Sequence, residues 1–205
     1  MRSLIGALMV AVALGASGAG AQERVLVLEG GTLIDGTGRA PVADAVVVVQ
    51  GSRIKAVGTR GQVSYPPNAT VLKLSGRTIL PGLIDGHVHL QEYQLPMFLP
   101  YGVTTIVDIH NHTAWSLVQR EALKSGKIKG PRMFVSGARV SGPLGPALPG
   151  STIVHTVEET RAYVRSLVAA GVDLVKVDLT ITDDQLRAVI EEANAAGLRA
   201  RQGIR

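Results

Sequence analysis

From residue 79 onward the sequence alternates between two hydrophobic periods, and that alternation restricts the fold more than any other feature. Four apolar runs, Ile79 to Asp85, Val103 to Asp108, Arg132 to Ser136 and Val172 to Asp178, each end in a polar residue. Helical patterns with clear punctuation follow the later runs. Thr113 to Lys124 closes at Gly126; Thr156 and Glu159 read as a capping box for a helix stopping at Gly171; Thr182 and Gln185 repeat the device for a helix ending at Gly197. Strand alternating with helix predicts parallel βα units, an α/β fold. With only two Phe, four Tyr and one Trp, the core must be built from Val, Ile, Leu and Ala, which suits strands buried on both faces.

Residues 22–78 read differently. Short β-branched runs, Arg24 to Leu28, Ala45 to Val49, Arg53 to Val57 and Val71 to Leu74, are separated by turn clusters at Asp35-Gly36-Thr37-Gly38, Gln50-Gly51-Ser52 and Pro66-Pro67-Asn68. They predict a small β domain containing a hairpin, with too few strands to be stable without a partner segment. Residues 1–21 carry Arg2, an apolar run from Leu4 to Leu14 and Ala19-Gly20-Ala21, the order of a secretory signal peptide, too short to span a membrane. Cleavage after Ala21 would remove Arg2 and lower the net charge of +5 by one. The expected location is therefore periplasmic or secreted, with no stable membrane anchor.

The basic residues fall in two groups, Arg53, Lys55 and Arg60, and Lys124, Lys127, Lys129 and Arg132. Neither has interleaved aromatics, so both read as solvated faces and no nucleic acid partner is expected. Cysteine is absent, which excludes disulfides and thiolate metal sites.

The chemistry concentrates at Pro81-Gly82-Leu83-Ile84-Asp85-Gly86-His87-Val88-His89. On a strand, Asp85, His87 and His89 share one side, with neighbouring imidazoles about 7 Å apart, close enough to grip one divalent cation. The plainer reading is a strand end bearing two solvated histidines. Lys176 lies within the apolar run Val172 to Asp178, where a buried ammonium is costly unless paired with a carboxylate or neutralised; a neutral amine can take up carbon dioxide as a carbamate. It could also snorkel from the strand end. His110 and His112 follow the second run, either as a helix-capping segment or as lining of a substrate pocket; His155 reads as surface. The Gly- and Pro-rich stretch 141 to 150 reads as a loop over the site.

Leu80 to His89, with Gly102-Val103-Thr104-Thr105, Gly130-Pro131-Arg132 and Gly171 to Val177, resembles the amidohydrolase superfamily, in its imidazolonepropionase-like and prolidase-like branch. The resemblance covers nearly all of residues 24 to 200. It implies a small β-sandwich-type domain in residues 22–78, part of a composite domain, followed in 79–205 by a (β/α)8 TIM-like barrel. It implies that His87 and His89 bind the more buried of one or two divalent ions, with zinc expected. Lys176 would be the carboxylated, bridging ligand, and Asp85 would orient an imidazole from behind the ligand shell. The implied reaction is hydrolysis of a C–N bond in a small amide, cyclic amide or dipeptide.

The family pattern also includes two later metal-binding histidines and a catalytic Asp that have no counterpart here; no histidine follows His155. Residues 80 to 205 also fall well short of the ~200 residues of the smallest (β/α)8 barrels. The expectation is a partial barrel of four to five strands, a frameshifted or prematurely stopped form with little or no activity and with self-association through open edges. The alternatives are a non-catalytic metal-binding or oligomerising fragment, and an open α/β binding domain unrelated to hydrolases.

Overall fold

The computed structural model describes residues 24–146 and 150–202; the expected signal segment lies outside them. The chain divides into two compact units, Met1–Pro81 and Gly82–Arg205.

In the first unit, β1 (Val25–Leu33), β2 (Val42–Gln50), β3 (Arg53–Thr59), β4 (Thr70–Lys73) and β5 (Thr78–Ile79) form one sheet. The hairpin is β2–β3, antiparallel from Ala45↔Thr59 to Gln50↔Arg53. The turn at Asp35 closes through its carboxylate, which accepts from Thr37 N at 3.0 Å and from Arg39 Nη2 at 2.6 Å. Alternation along β2 sends Val46 and Val48 to one core cluster, and Ala45 and Val47 to another on the opposite face. The sandwich-type domain expected here is thus, among the described residues, a single five-stranded sheet with apolar residues on both faces. Two features run against local reading: β4 pairs with β1 in parallel, and so does β5.

The apolar run expected to be one strand from Ile79 to Asp85 is broken. Ile79 stays with β1, and β6 (Leu83–Val88) opens the second unit. Pro81 has no N–H to give a ladder and restricts Leu80 before it. At Gly82 a Cβ would lie 2.1 Å from Thr104 Oγ1, so only glycine permits this close approach.

The second unit continues with α1 (Leu95–Phe98), β7 (Val103–Asp108), α2 (Thr113–Lys124), β8 (Arg132–Val135), β9 (Val140–Ser141), β10 (Thr152–Ile153), α3 (Val157–Ala170), β11 (Leu174–Val177), α4 (Asp183–Ala195) and β12 (Arg199–Gln202). β6, β7 and β8 pair in parallel, as do β9, β11 and β12. The two sheets meet at β8 and the start of β11. Asp173 N donates to Val135 O (2.8 Å), and Val135 N donates to Asp173 Oδ2 (2.9 Å). The two sheets joined by these bonds form the array of parallel strands, and no closed barrel is present among the described residues.

The helices cover one face of this array. Val140, Val175 and Val177 pack with Val164 and Leu167 of α3 and Val189 of α4; Ile106, Met133 and Val135 pack with Trp115, Leu117 and Leu123 of α2. Each fully buried Val contributes about 1.5–3 kcal/mol. The α4 cap is the expected full box of Thr182 and Gln185. At α3 only half of the box forms: Thr156 Oγ1 accepts from Glu159 N, while the Glu159 carboxylate reaches back to His155 N at 2.7 Å. Gly171, at φ 87, ends α3 in the left-handed conformation.

Candidate metal centre

Because Val88, Val140, Val175 and Val177 face the helices, their neighbours face the other way. His87, His89, Arg139, Ser141, Lys176 and Asp178 therefore line the concave face, near the C-terminal ends of the strands, where parallel α/β folds place their sites. The His87 and His89 ring centroids are 5.4 Å apart, edge to face, and His89 stands 5.9 Å from His110 in the same manner. His87 and His89 are exposed, whereas Lys176 is buried at 2 % exposure.

Charge links the lysine to the histidines. Desolvation holds the His87 imidazole below its usual range, reinforced by the positive charges of Lys176, His89 and Arg201 and opposed by Asp85. That favours the neutral, metal-donating form. The Lys176 ammonium is lowered by burial, then by Arg139 and Arg201, with Asp178 opposing. Lys176 is thus the buried, charge-crowded lysine that the run Val172 to Asp178 predicts. Among the described residues no three His, Cys, Asp or Glu side chains are grouped to hold an ion unaided. A metal here would take two imidazoles and a donor made from Lys176, a set that suits a borderline divalent ion.

Asp85 Oδ1 accepts from the backbone N of His87 at 3.1 Å and so braces the strand end. The residue that sequence reasoning missed is Asp108, 1 % exposed. It accepts from Leu90 N at 3.1 Å, from Ser116 Oγ at 3.0 Å and from the Asn111 side chain, while Asn111 Nδ2 donates to Leu90 O at 2.8 Å. Burial raises its carboxyl above the usual range, against the pull of those bonds and of His89. Asp108 therefore fixes the chain immediately after His89 from the helix side. Its position as the polar end of a strand was the available signal.

The two loop histidines separate. His110 joins His89, with Gly150 beside its ring: a Cβ there would lie 3.7 Å from His110 Cε1. His112 heads α2, with its carbonyl accepting from Ser116 N at 3.0 Å, and shares a groove with Leu90, Gln91, Glu92, Asn111 and Trp115. Of the 141 to 150 loop, Gly142 N donates to Thr180 Oγ1 and Leu144 N to Thr180 O, tying it to the end of β11; residues 147–149 lie outside the described set.

The parallel βα array thus carries a His-x-His at the end of its first strand and a buried lysine in its fourth. No protein-family model matches the chain. It is 28% identical over 207 residues to an adenine deaminase of Rubrobacter xylanophilus, covering 90% of this chain and 32% of that protein. It is 39% identical over 87 residues to a D-aminoacylase of Alcaligenes xylosoxydans xylosoxydans, covering 40% of this chain and 17% of that one. Among solved structures, a prolidase complexed with N-methylphosphonate-L-proline superposes with a TM-score of 0.73 at 27% identity, over 87% of this chain and 55% of that one. These similarities are all to proteins of the amidohydrolase superfamily. It spans about a third of the adenine deaminase's length and about half of the prolidase's.

Proposed function

We propose that this chain carries part of the active site of a metal-dependent hydrolase that cleaves a C–N bond in a small amide, cyclic amide or dipeptide. The observation that carries this reading is the convergence of His87, His89 and buried Lys176 on one concave face. Members of the superfamily are generally dependent on divalent metals. His87 and His89 would hold the ion, with zinc expected, and Lys176 as a carbamate would bridge to a second. When bound, such an ion polarises a carbonyl and makes water a nucleophile near neutral pH.

The chain's own residues prepare that site. Asp85 holds the backbone at His87, and Asp108 holds it just beyond His89, so both imidazoles leave a fixed edge. Partial desolvation keeps His87 in its donor form. The relatives act, by their names, on adenine and on acylated amino acids, and a prolidase is among the structural neighbours. The leader read in residues 1–21 would place the site in the periplasm or outside the cell.

The second reading is a non-catalytic metal-binding or oligomerising chain. It draws on the lack, among the described residues, of a three-donor cluster independent of Lys176. Purified protein supplied with zinc and bicarbonate separates the two. Hydrolysis of a dipeptide, an N-acyl amino acid or a cyclic amide that disappears in His87→Ala supports the hydrolase. Zinc retained by a monodisperse oligomer without turnover supports the second reading; zinc equally absent from wild type and His87→Ala overturns both.

A further inference from the structure

The concave face holds one group that the metal-centred reading leaves unused. Arg139 precedes β9, and since Val140 packs into the α3–α4 core, Arg139 and Ser141 point to the same side as Lys176 and Asp178. Arg139 is only 7 % exposed. Its Nη1 lies 3.4 Å from Asp178 Oδ2, while its Nε and Nη2 are buried and have no hydrogen-bond partner among the described residues. A buried guanidinium with two idle donors is rare, because such donors cost free energy unless something completes them.

The idle pair has a definite shape. Nε and Nη2 form the side-on edge of the guanidinium, two parallel N–H groups spaced to take both oxygens of one carboxylate. Asp178 is already engaged: its Oδ2 accepts from Ser141 Oγ at 3.2 Å and its Oδ1 from Leu179 N at 2.6 Å. Lys176, in the next position on this face, adds positive charge beside Arg139. The surroundings therefore call for an anion that is planar, bidentate and brought in from outside the side chains present.

The geometry points to Arg139 as the carboxylate-binding residue of this face, its Nε–Nη2 edge clasping a carboxylate-type group. The group it would clasp is the free carboxylate of an amide substrate. This deepens the hydrolase reading and rests on it for the identity of the ligand, not for the unpartnered edge of Arg139.

The test uses the full chain and two variants, Arg139→Lys, which keeps the charge but loses the fork, and Arg139→Met. Binding of N-acetylglycine is compared with that of its uncharged control N-acetylglycinamide. N-acetylglycine binding weakened about tenfold in Arg139→Lys, with N-acetylglycinamide unaffected, supports the proposal. If N-acetylglycine binds wild type and folded Arg139→Lys equally, or binds neither, the proposal is overturned; should Arg139→Met fail to fold, Arg139→Lys alone decides. Zinc retention measured in parallel reports on His87 and His89, so failure of the hydrolase reading is seen separately.

Discussion

Replacing Asp173 by alanine tests whether the two runs of parallel strands are truly one array. Asp173 Oδ2 accepts from Val135 N at 2.9 Å and from Arg120 Nη1 at 2.8 Å, adding to the backbone bond from Asp173 N to Val135 O that also ties β8 to the start of β11. Val135 is fully buried, so removing the carboxylate strands its N–H, at about 1–3 kcal/mol. The ion pair with Arg120 has side chains 20% and 29% exposed, which limits it to about 0.2–1 kcal/mol. Together the loss is about 1–4 kcal/mol, a large part of the ~5–15 kcal/mol that holds a domain folded. For a chain of this size that lowers the melting temperature by about 3–15 °C. Thermal unfolding followed by circular dichroism, on Asp173→Ala, Asp173→Asn and Arg120→Ala, separates the terms. Asp173→Asn keeps an acceptor for Val135 N and should recover most of the loss, while Arg120→Ala should cost about 1 kcal/mol or less. If Asp173→Ala melts no lower than Arg120→Ala, the clasp between β8 and β11 contributes nothing and the reasoning fails.

Two further outcomes follow from the packing and charges. Glu192, clasped by Arg165 at 2.8 Å from both Nε and Nη2 and by Arg161 Nη1 at 3.1 Å, has its carboxyl lowered from 4.5 to about 2. A depressed carboxylate stabilises fully above its unfolded value and loses that contribution as pH falls. The melting temperature of wild type should therefore exceed that of Glu192→Gln near neutrality, and the gap should close between pH 4.5 and about 2; a gap independent of pH would refute it. At Gly142 a Cβ would lie 2.4 Å from Ile181 Cα and 2.6 Å from Thr180 O, both backbone atoms that cannot yield cheaply. Gly142→Ala should destabilise by about 1–3 kcal/mol in urea unfolding, and an unchanged midpoint would show that the loop after β9 is not seated on β11.

Much of the second unit could be read from local signals. The Thr182–Gln185 cap, the Gly171 and Gly197 stops and the apolar runs each depend on residues a few positions apart, and all but the run Ile79 to Asp85, which breaks before β6, reappear in the structure. What was hidden depends on distant partners. The join of β8 to β11 depends on the Asp173 carboxylate, 38 residues on from Val135, which accepts from Val135 N. Asp108 reads in the sequence only as the polar end of its run, whereas Ser116 and the Leu90 backbone hold it on the helix side. Asp85 lies on the imidazole side of its strand by parity, but its carboxylate bonds to its own backbone two residues on, a local competition that periodicity does not see. The parallel docking of β4 onto β1 reverses the antiparallel pairing that short connections suggest. At the site, the His-x-His spacing and Lys176 were legible because strand parity alone brings them to one face. Arg139 was not, because its importance lies in which of its donors the fold leaves idle.

The claim on which the rest depends is that His87 and His89 form a metal-holding edge. Equilibrium dialysis against zinc in bicarbonate buffer, on wild type and His87→Ala/His89→Ala, tests it without requiring turnover. Wild type should retain stoichiometric zinc, and the double variant should bind on the order of a hundredfold more weakly or worse, since it loses both imidazole donors. Equal zinc retention by the two proteins would contradict it.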